Sequence, residues 1–366
     1  MRMLQSLLLA TDFQPASSNA ARVAARLASA FGTRVSVIHV VEPWLPAAAS
    51  IFRHQQADRM LEDLRTQFSH QQVPLANCSV LAAPVADAIV RNATEVDADL
   101  IVLGAGELSA NQAFTVGPIA QSVMEQAPQP VLTVHPAARD IVFRTILCPV
   151  DHSAVSRRGL RNAVQLARVL GSRLVVLSVV PDVSWLTAAV ETGELADAKV
   201  EYEHKWCEEL EAFLAGIHFD AIPYVKEVRS GAPHDQIIAA AKEHQADLIV
   251  MGATGRTGLV RVLLGSTARR VLRDLPCSLL TVKQEDVIEE LLEDDLNTSS
   301  LLLAEGHALY QAGSYEPAVA KFRQVLVRNP FNLQAVERLA EAYHKLGQDR
   351  EEATFRRRAQ LLRGRS

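Results

Sequence analysis

The sequence predicts an α/β protein with two tandem doubly wound parallel-sheet domains and a small all-α tail. Short apolar runs of strand length alternate with segments of helical spacing, an order typical of a parallel sheet covered on both faces. The same order occurs twice over about three quarters of the chain, as an internal repeat of domain size. After Val282 the composition changes to an acidic and then a helical segment.

The first repeat, 1–138, contains the elements in the expected alternation. Its strands are predicted at Leu4–Leu9, Val35–Val41, Cys78–Ala82, Leu100–Leu103 and Val131–Val134. Its helices are predicted from Ala20 to Leu27, in a long helical or irregular stretch up to Gln71, from Val85 to Val96 and from Ile119 to Gln126.

The second repeat, 139–285, contains the same strand runs in the same order. Thr145–Asp151 corresponds to Leu7–Asp12, Leu174–Pro181 to Val35–Pro43, Asp247–Gly252 to Asp99–Gly104, and Leu279–Val282 to Val131–Val134. The two last strands would each leave an exposed apolar edge, so we expect them to pair antiparallel. This pairing predicts a pseudo-dimer within the chain, or a homo-oligomer.

Composition excludes several classes of function. The chain has 366 residues, of which 49% are hydrophobic and 22% charged, with a net charge of −5. These values are ordinary for a globular protein and give no reason to expect a nucleic-acid partner. The longest apolar runs have strand length, so no membrane partner is expected either. The four cysteines form no CxxC pair, which argues against a zinc or redox site and favours a cytoplasmic location.

A glycine pattern in the second repeat predicts a phosphate site. Gly252 and Gly255 follow a buried strand run, and nine residues later Gly265-Ser266 begins a helical segment. A helix N-terminus offers unpaired N–H groups and the positive end of the helix dipole, and glycines allow the backbone to approach a ligand. The alternative is that these glycines only form turns.

The spacing of Gly252, Gly255, Gly265 and Ser266 resembles the signature of the ATP-binding branch of the universal stress protein family. Leu263-Leu264 before Gly265, and the run Leu275 to Val282, are also similar to that family. The resemblance implies a Rossmann-like, adenine nucleotide alpha hydrolase-like fold, with ATP and Mg²⁺ as cofactors.

The resemblance also assigns roles to individual residues. Asp151 would bind the adenine edge or the ribose, and Val179 would hold the base through its backbone. From its place in the loop sequence, and not from the resemblance, Arg256 could reach the phosphates. Asp151 has an alternative role as a helix N-cap, and Arg256 as a solvated loop residue. The complete predicted nucleotide set is Pro149, Val150, Asp151, Val179, Gly252, Gly255, Arg256, Gly265, Ser266 and Thr267.

The first repeat departs from this signature at two positions. Gly104 and Gly117 keep their spacing, but Glu107 replaces the second glycine and Pro118 replaces the hydroxyl residue. A carboxylate near phosphates is unfavourable, and proline removes one N–H donor. Gly106 compensates only in part, so we expect the first domain to bind ATP poorly or not at all and to serve structure and pairing.

The tail is predicted to be a helical repeat. An acidic linker covers 286–298, and 299–366 resembles tetratricopeptide repeats, with Gly313 and Gly347 separated by 34 residues. We expect four helices in two antiparallel pairs. Such a short array leaves an apolar face uncovered, so the tail is expected to contact the rest of the chain, a second copy or a protein partner.

The function predicted from these features is a cytoplasmic, ATP-binding regulator of a stress response or signalling process. The chain contains no P-loop motif and no kinase signature, so no catalytic residues and no protein metal ligands are predicted. Two alternatives are a slow Mg²⁺-dependent ATPase and a scaffold that binds partners through its tail and has a vestigial nucleotide site.

Overall fold

A computed structural model describes most of the chain, in nine segments. These are residues 4–41, 47–106, 116–136, 143–181, 194–219, 222–253, 264–283, 301–328 and 332–363. The described residues divide into two compact units, one that contains residues 4–283 and one that contains residues 301–363. Both predicted α/β repeats therefore lie in a single compact unit, and the tail lies in the other.

The first unit is built on one ten-stranded sheet in the order β3-β2-β1-β4-β5-β10-β9-β6-β7-β8. The strands are β1 Ser6–Ala10, β2 Arg34–Val41, β3 Leu75–Ala82, β4 Leu100–Gly104, β5 Val131–Val134, β6 Thr145–Val150, β7 Arg173–Pro181, β8 Tyr224–Gly231, β9 Leu248–Gly252 and β10 Ser278–Val282. The first five strands and the last five strands have the same order within their halves. The internal repeat in the sequence is therefore also a repeat of topology.

Helices connect the strands within each half. They are α1 Pro15–Phe31, α2 Ala47–His70, α3 Val85–Glu95, α4 Pro118–Gln126, α5 Ala154–Leu170, α6 Glu194–Leu214, α7 Pro233–Glu243 and α8 Ser266–Arg273. The equivalent helices α1 and α5 both have 17 residues and end at a glycine in the left-handed region, Gly32 with φ 68° and Gly171 with φ 69°. Glycine adopts this conformation without the steric cost of a Cβ atom.

The two halves join where β5 pairs antiparallel with β10, as the sequence predicted. Leu132 lies opposite Leu280, and both side chains are buried. The Thr133 hydroxyl donates to the carbonyl oxygen of Leu279 across the same pair, at 3.0 Å. One hydrophobic core cluster contains residues of both halves, so the pairing also merges their cores.

Strand β8 has no counterpart among the predicted elements. Among the described strands it stands at one end of the sheet and pairs with β7 alone. Its exposed residues include Tyr224, Val225 and Val228, between charged residues, so its sequence lacks the continuous apolar run of the buried strands.

The described residues of the second unit form four helices, the number expected for the tail from the sequence. Residues 301–311 form α9, followed by α10 Tyr315–Arg328, α11 Leu333–Lys345 and α12 Asp349–Arg363. The predicted apolar faces are buried in one core, which includes Phe322, Leu339 and Tyr343. Whether four packed helices act as a tetratricopeptide-like partner module stays a prediction.

The small residues of the tail have different roles. Gly313 and Gly347 have φ values of 78° and 68° with open space around them, so they form the turns that follow helices. Close packing occurs instead at Gly306, where an added Cβ would lie 2.6 Å from the Phe322 ring. Glu352 is buried, where tetratricopeptide repeats would have a small residue. Its carboxylate lies 3.0 Å from His344 Nδ1 and forms an ion pair with Arg356 at 2.8 Å.

Candidate functional site

A cavity of about 390 Å³ lies beyond the carboxyl ends of β6, β7 and β9 in the second half. In open parallel sheets, ligands bind at this edge. The structure brings together every predicted nucleotide residue that it describes. Lining the cavity are Pro149, Val150, Asp151, Val179, Gly252, Gly265, Ser266 and Thr267. Gly255 and Arg256 lie outside the described residues.

Asp151 shapes the turn between β6 and α5. Its carboxylate accepts a hydrogen bond from the backbone N–H of Ser153 at 3.1 Å. Ser153 is the N-cap of α5, since its hydroxyl oxygen accepts from the N–H of Ser156 at 3.1 Å. The alternative in which Asp151 caps the helix is therefore wrong. Between them His152 has φ 63°, an uncommon conformation for a residue with a Cβ, and the turn keeps the Asp151 carboxylate at the cavity.

The glycine loop is attached to the sheet by backbone hydrogen bonds. Ala253 N–H donates to the carbonyl oxygen of Val282 at 2.7 Å, and Gly265 N–H donates to the carbonyl oxygen of Ala253, also at 2.7 Å. The two ends of the loop therefore have defined positions next to the last strand. This anchoring places the start of α8 at the cavity.

Helix α8 presents an anion-binding terminus to the cavity. Gly265 is its N-cap, and the first helical hydrogen bond runs from Arg269 N–H to Gly265 O at 3.0 Å. The N–H groups of Ser266, Thr267 and Ala268 thus have no acceptor within the helix. Together with two hydroxyl groups and the positive end of the helix dipole, they form a donor cluster suited to phosphate.

Helix α6 contributes an aromatic wall that was not predicted. Tyr202 and Trp206 line the cavity. The Trp206 indole N–H donates to the hydroxyl oxygen of Ser178 at 2.9 Å, and the His152 ring lies 4.7 Å from the indole. The spacing of Tyr202 and Trp206 places them on one helix face, but only the fold brings that face to the glycine loop.

Ser178, His152 and Glu209 form an arrangement that resembles a nucleophile, base and acid. His152 Nε2 lies 3.2 Å from the Ser178 hydroxyl oxygen, and His152 Nδ1 lies 3.6 Å from a Glu209 carboxylate oxygen. Ser178 is completely buried and does not line the cavity, so a substrate has no access to its hydroxyl. We interpret the cluster as the support that holds the Trp206 indole in place.

A second cavity of about 420 Å³ occupies the equivalent position in the first half. The sequence predicted a role in structure and pairing for the first half, and it did not predict a cavity there. Among its lining residues are Thr11, Asp12, Gln14, His39, Val40, Arg53, Gly104, Gly106, Gly117, Pro118 and Ile119. Glu107 lies outside the described residues.

The helix terminus at this second cavity has fewer donors. The first helical hydrogen bond of α4 runs from Gln121 N–H to Gly117 O at 3.0 Å. Since Pro118 has no N–H, only Ile119 and Ala120 offer donors, and neither has a hydroxyl. The Ile119 side chain is 45% exposed, so the surface that would meet phosphates is apolar.

Two further observations concern reactive groups and membranes. Burial raises the pKa of the Cys148 and Cys277 thiols well above the usual range, so neither is a nucleophile.

Within the described segments, no three acidic, histidine or cysteine side chains are grouped to hold a metal ion. The helices of these segments are all too short or too polar to cross a membrane.

Comparisons with known proteins agree with this architecture. A model of the universal stress protein family matches residues 3–135 and 143–283. A universal stress protein of Methanocaldococcus jannaschii is 33% identical over 145 residues, which are 39% of this chain and 84% of that protein. Universal stress protein E of Escherichia coli K12 is 23% identical over 313 residues, covering 81% of this chain and 99% of that protein.

Solved structures show the same fold. The crystal structure of a universal stress protein from Archaeoglobus fulgidus has a TM-score of 0.56 and 19% identity to this chain, and covers 76% of this chain and 98% of its own. The two segments matched by the family model account for most of the residues, one segment for each half of the sheet. The chain therefore belongs to the universal stress protein family and carries two copies of the family's domain in tandem.

Proposed function

We propose that this chain is a cytoplasmic regulator of a stress response or signalling process and that its second half binds one ATP with Mg²⁺. One observation carries the proposal: Asp151, Val179 and the N-terminus of α8 line a single cavity. A carboxylate and a cluster of N–H and hydroxyl donors around one cavity are complementary to a nucleoside and to its phosphates.

Each part of the cavity has a distinct role in this proposal. The end near Asp151 and Val179 takes the adenine and the ribose, against apolar strand residues and the aromatic wall of Tyr202 and Trp206. The phosphates lie at the start of α8, where three N–H groups lack helical partners. Mg²⁺ would accompany the phosphates and offset part of their charge.

The composition of the phosphate end favours binding over rapid hydrolysis. Asp151 is the one acidic residue among the described lining residues, and the first turn of α8 contains none. A general base must lie within hydrogen-bond reach of the attacking water. Bound ATP is therefore proposed to act by changing the stability or the contacts of the protein.

Calorimetric titration of the full chain with ATP and Mg²⁺ tests the proposal, together with mass analysis of ligands that copurify. We expect one ATP per chain, with micromolar affinity corresponding to roughly −8 kcal/mol. Asp151→Ala should weaken binding at least tenfold, and the matched control Asp12→Ala should not. Absence of ATP binding, or two equivalent ATP sites, would contradict the proposal.

A further inference from the structure

The cavity in the first half has the volume of a binding site but not the chemistry of a triphosphate site. We propose that it binds an uncharged purine nucleoside, such as adenosine. The choice of a purine rests on the proposed function of the second half, because the two cavities share one end of their architecture. The absence of phosphates from the ligand rests on the first half alone.

The end of the cavity near β1 reproduces its counterpart in the second half. Asp12 accepts a hydrogen bond from Gln14 N–H at 3.0 Å, as Asp151 does from Ser153 N–H at 3.1 Å. The residue after each aspartate has nearly the same conformation, with φ 61° at Phe13 and 63° at His152. The two turns have nearly the same backbone conformation. A chemical group that binds to this turn in one half can therefore bind to it in the other half as well.

The first-half cavity also offers hydrogen-bond acceptors at this end. His39 Nδ1 lies 2.8 Å from the carbonyl oxygen of Thr11. A carbonyl only accepts, so Nδ1 carries the proton and Nε2 of the neutral ring is an acceptor. The second carboxylate oxygen of Asp12 has no partner among the described residues. Ribose hydroxyl groups and an exocyclic amine are donors that match these acceptors.

The other end of the cavity excludes a triphosphate. Pro118 removes an N–H, and Ile119 places an exposed apolar side chain where the second half has a threonine. In the sequence, the position that corresponds to Gly255 is Glu107, a residue of the opposite charge preference for a phosphate loop. Desolvating a phosphate beside an apolar side chain and a like charge is unfavourable.

One cationic side chain, Arg53, lines the cavity among the described residues. It belongs to an exposed position of α2, where solvent and salt screen its charge. We therefore expect it to contribute little to selectivity. A nucleoside monophosphate is the ligand that would use Arg53, and the experiment includes it.

Calorimetry with adenosine, AMP and ATP on the full chain tests the inference, using a matched pair of cavity-filling variants. Val40→Trp fills the first cavity and Val179→Trp fills the second, since these valines line equivalent positions. We expect two adenosine and one ATP per wild-type chain. Val40→Trp should keep one adenosine and one ATP, and Val179→Trp should keep one adenosine and no ATP.

The inference is overturned if Val40→Trp leaves the number of bound adenosines unchanged, or if AMP binds the Val179→Trp chain more than tenfold tighter than adenosine. If either tryptophan variant fails to fold, Asp12→Asn and Asp151→Asn replace it, each weakening adenosine binding about tenfold at its own site. A wild-type chain that binds adenosine through Asp12 but binds no ATP would contradict only the proposed function of the second half.

Discussion

As sites for an anion, the two cavities differ in the first turn of one helix. Both lie at the carboxyl edge of the same sheet, and their volumes are about 420 and 390 Å³. In both, the N-cap glycine donates to the equivalent loop carbonyl, Gly117 to Ala105 at 2.9 Å and Gly265 to Ala253 at 2.7 Å. Yet the next residue is Pro118 in one and Ser266 in the other.

This difference separates what the fold provides from what single residues provide. Strand order, turn conformation and loop anchoring are properties of the backbone, so both halves keep them and both retain a cavity. Affinity for an anion depends on N–H and hydroxyl donors at the helix start, and one proline removes two of them. A duplicated domain can therefore lose a triphosphate site without losing a pocket.

The largest effect on stability is expected where β5 pairs with β10. A charged substitution in either strand should destabilise the protein equally. Leu132 and Leu280 face each other and are buried, so Leu132→Asp or Leu280→Asp would place an unpaired charge in the core. We expect a loss of at least about 4 kcal/mol of unfolding free energy for either change, with aggregation. Denaturant unfolding and light scattering measure this, with Val169→Asp on the exposed surface of α5 as control. Tolerance of one change but not the other would show that the halves do not share this core equally.

The next effect concerns ATP affinity and uses the difference between the helix termini directly. Ser266→Pro removes one N–H and one hydroxyl, so ATP binding should weaken about 100-fold, or about 3 kcal/mol. Proline is favoured at the first helical position, so the fold should persist. The reciprocal Pro118→Ser should create no ATP site, because Ile119 and Glu107 are still present. Calorimetry that finds equal ATP affinity in wild type and Ser266→Pro would disprove the proposed role of α8.

A smaller effect on stability concerns the contact between a helix and a strand in each half: β4 with α1 in the first half, and α5 with β9 in the second. An added Cβ at Gly104 would lie 2.8 Å from the backbone of Ala16, whereas one at Gly159 would lie 3.5 Å from its nearest neighbour, Gly252. Gly104→Ala should therefore cost about 2 kcal/mol through overpacking. Gly159→Ala should stabilise by up to about 1 kcal/mol, because alanine favours the helix. Denaturant midpoints report both changes, and equal costs would refute this difference in packing.

The smallest effect is a pH dependence of stability. It arises at the residue that follows the last strand of each half, where the two halves differ. His135 follows β5 and Lys283 follows β10. Burial lowers the pKa of His135 below its ordinary 6.5, so at pH values below 6.5 the unfolded chain binds a proton that the folded chain does not. Stability should be fully present above pH 6.5 and fall as the pH decreases through the folded-state pKa.

His135→Gln should reduce this slope, which thermal unfolding at pH 5 to 8 measures. His70→Gln, at an exposed position, is the matched control for the loss of a histidine side chain. An identical slope in the His135→Gln variant would assign the pH dependence to another group. Burial also lowers the pKa of Lys283, and the nearby Glu125 carboxylate opposes this shift. The effect of Lys283 on stability therefore appears at alkaline pH.

Part of the architecture could be read from the amino-acid sequence because it depends on local patterns. Continuous apolar runs such as Leu248–Gly252 indicate strands buried on both faces, and their repetition indicates two equivalent halves. The apolar edges of β5 and β10 indicated their pairing, which the structure contains. The glycine spacing indicated a ligand loop, and its described residues line one cavity.

Other features depended on contacts between distant segments, so only the tertiary structure decided them. Strand β8 pairs with β7 and has no apolar run of its own. Trp206, on α6, lines the cavity and donates its indole N–H to Ser178 on β7. The first-half cavity exists because a parallel sheet of this order opens at its carboxyl edge whatever the loop residues are. Local sequence thus determined where elements form and which donors they carry, and the packing of the sheet decided which of them face a common space.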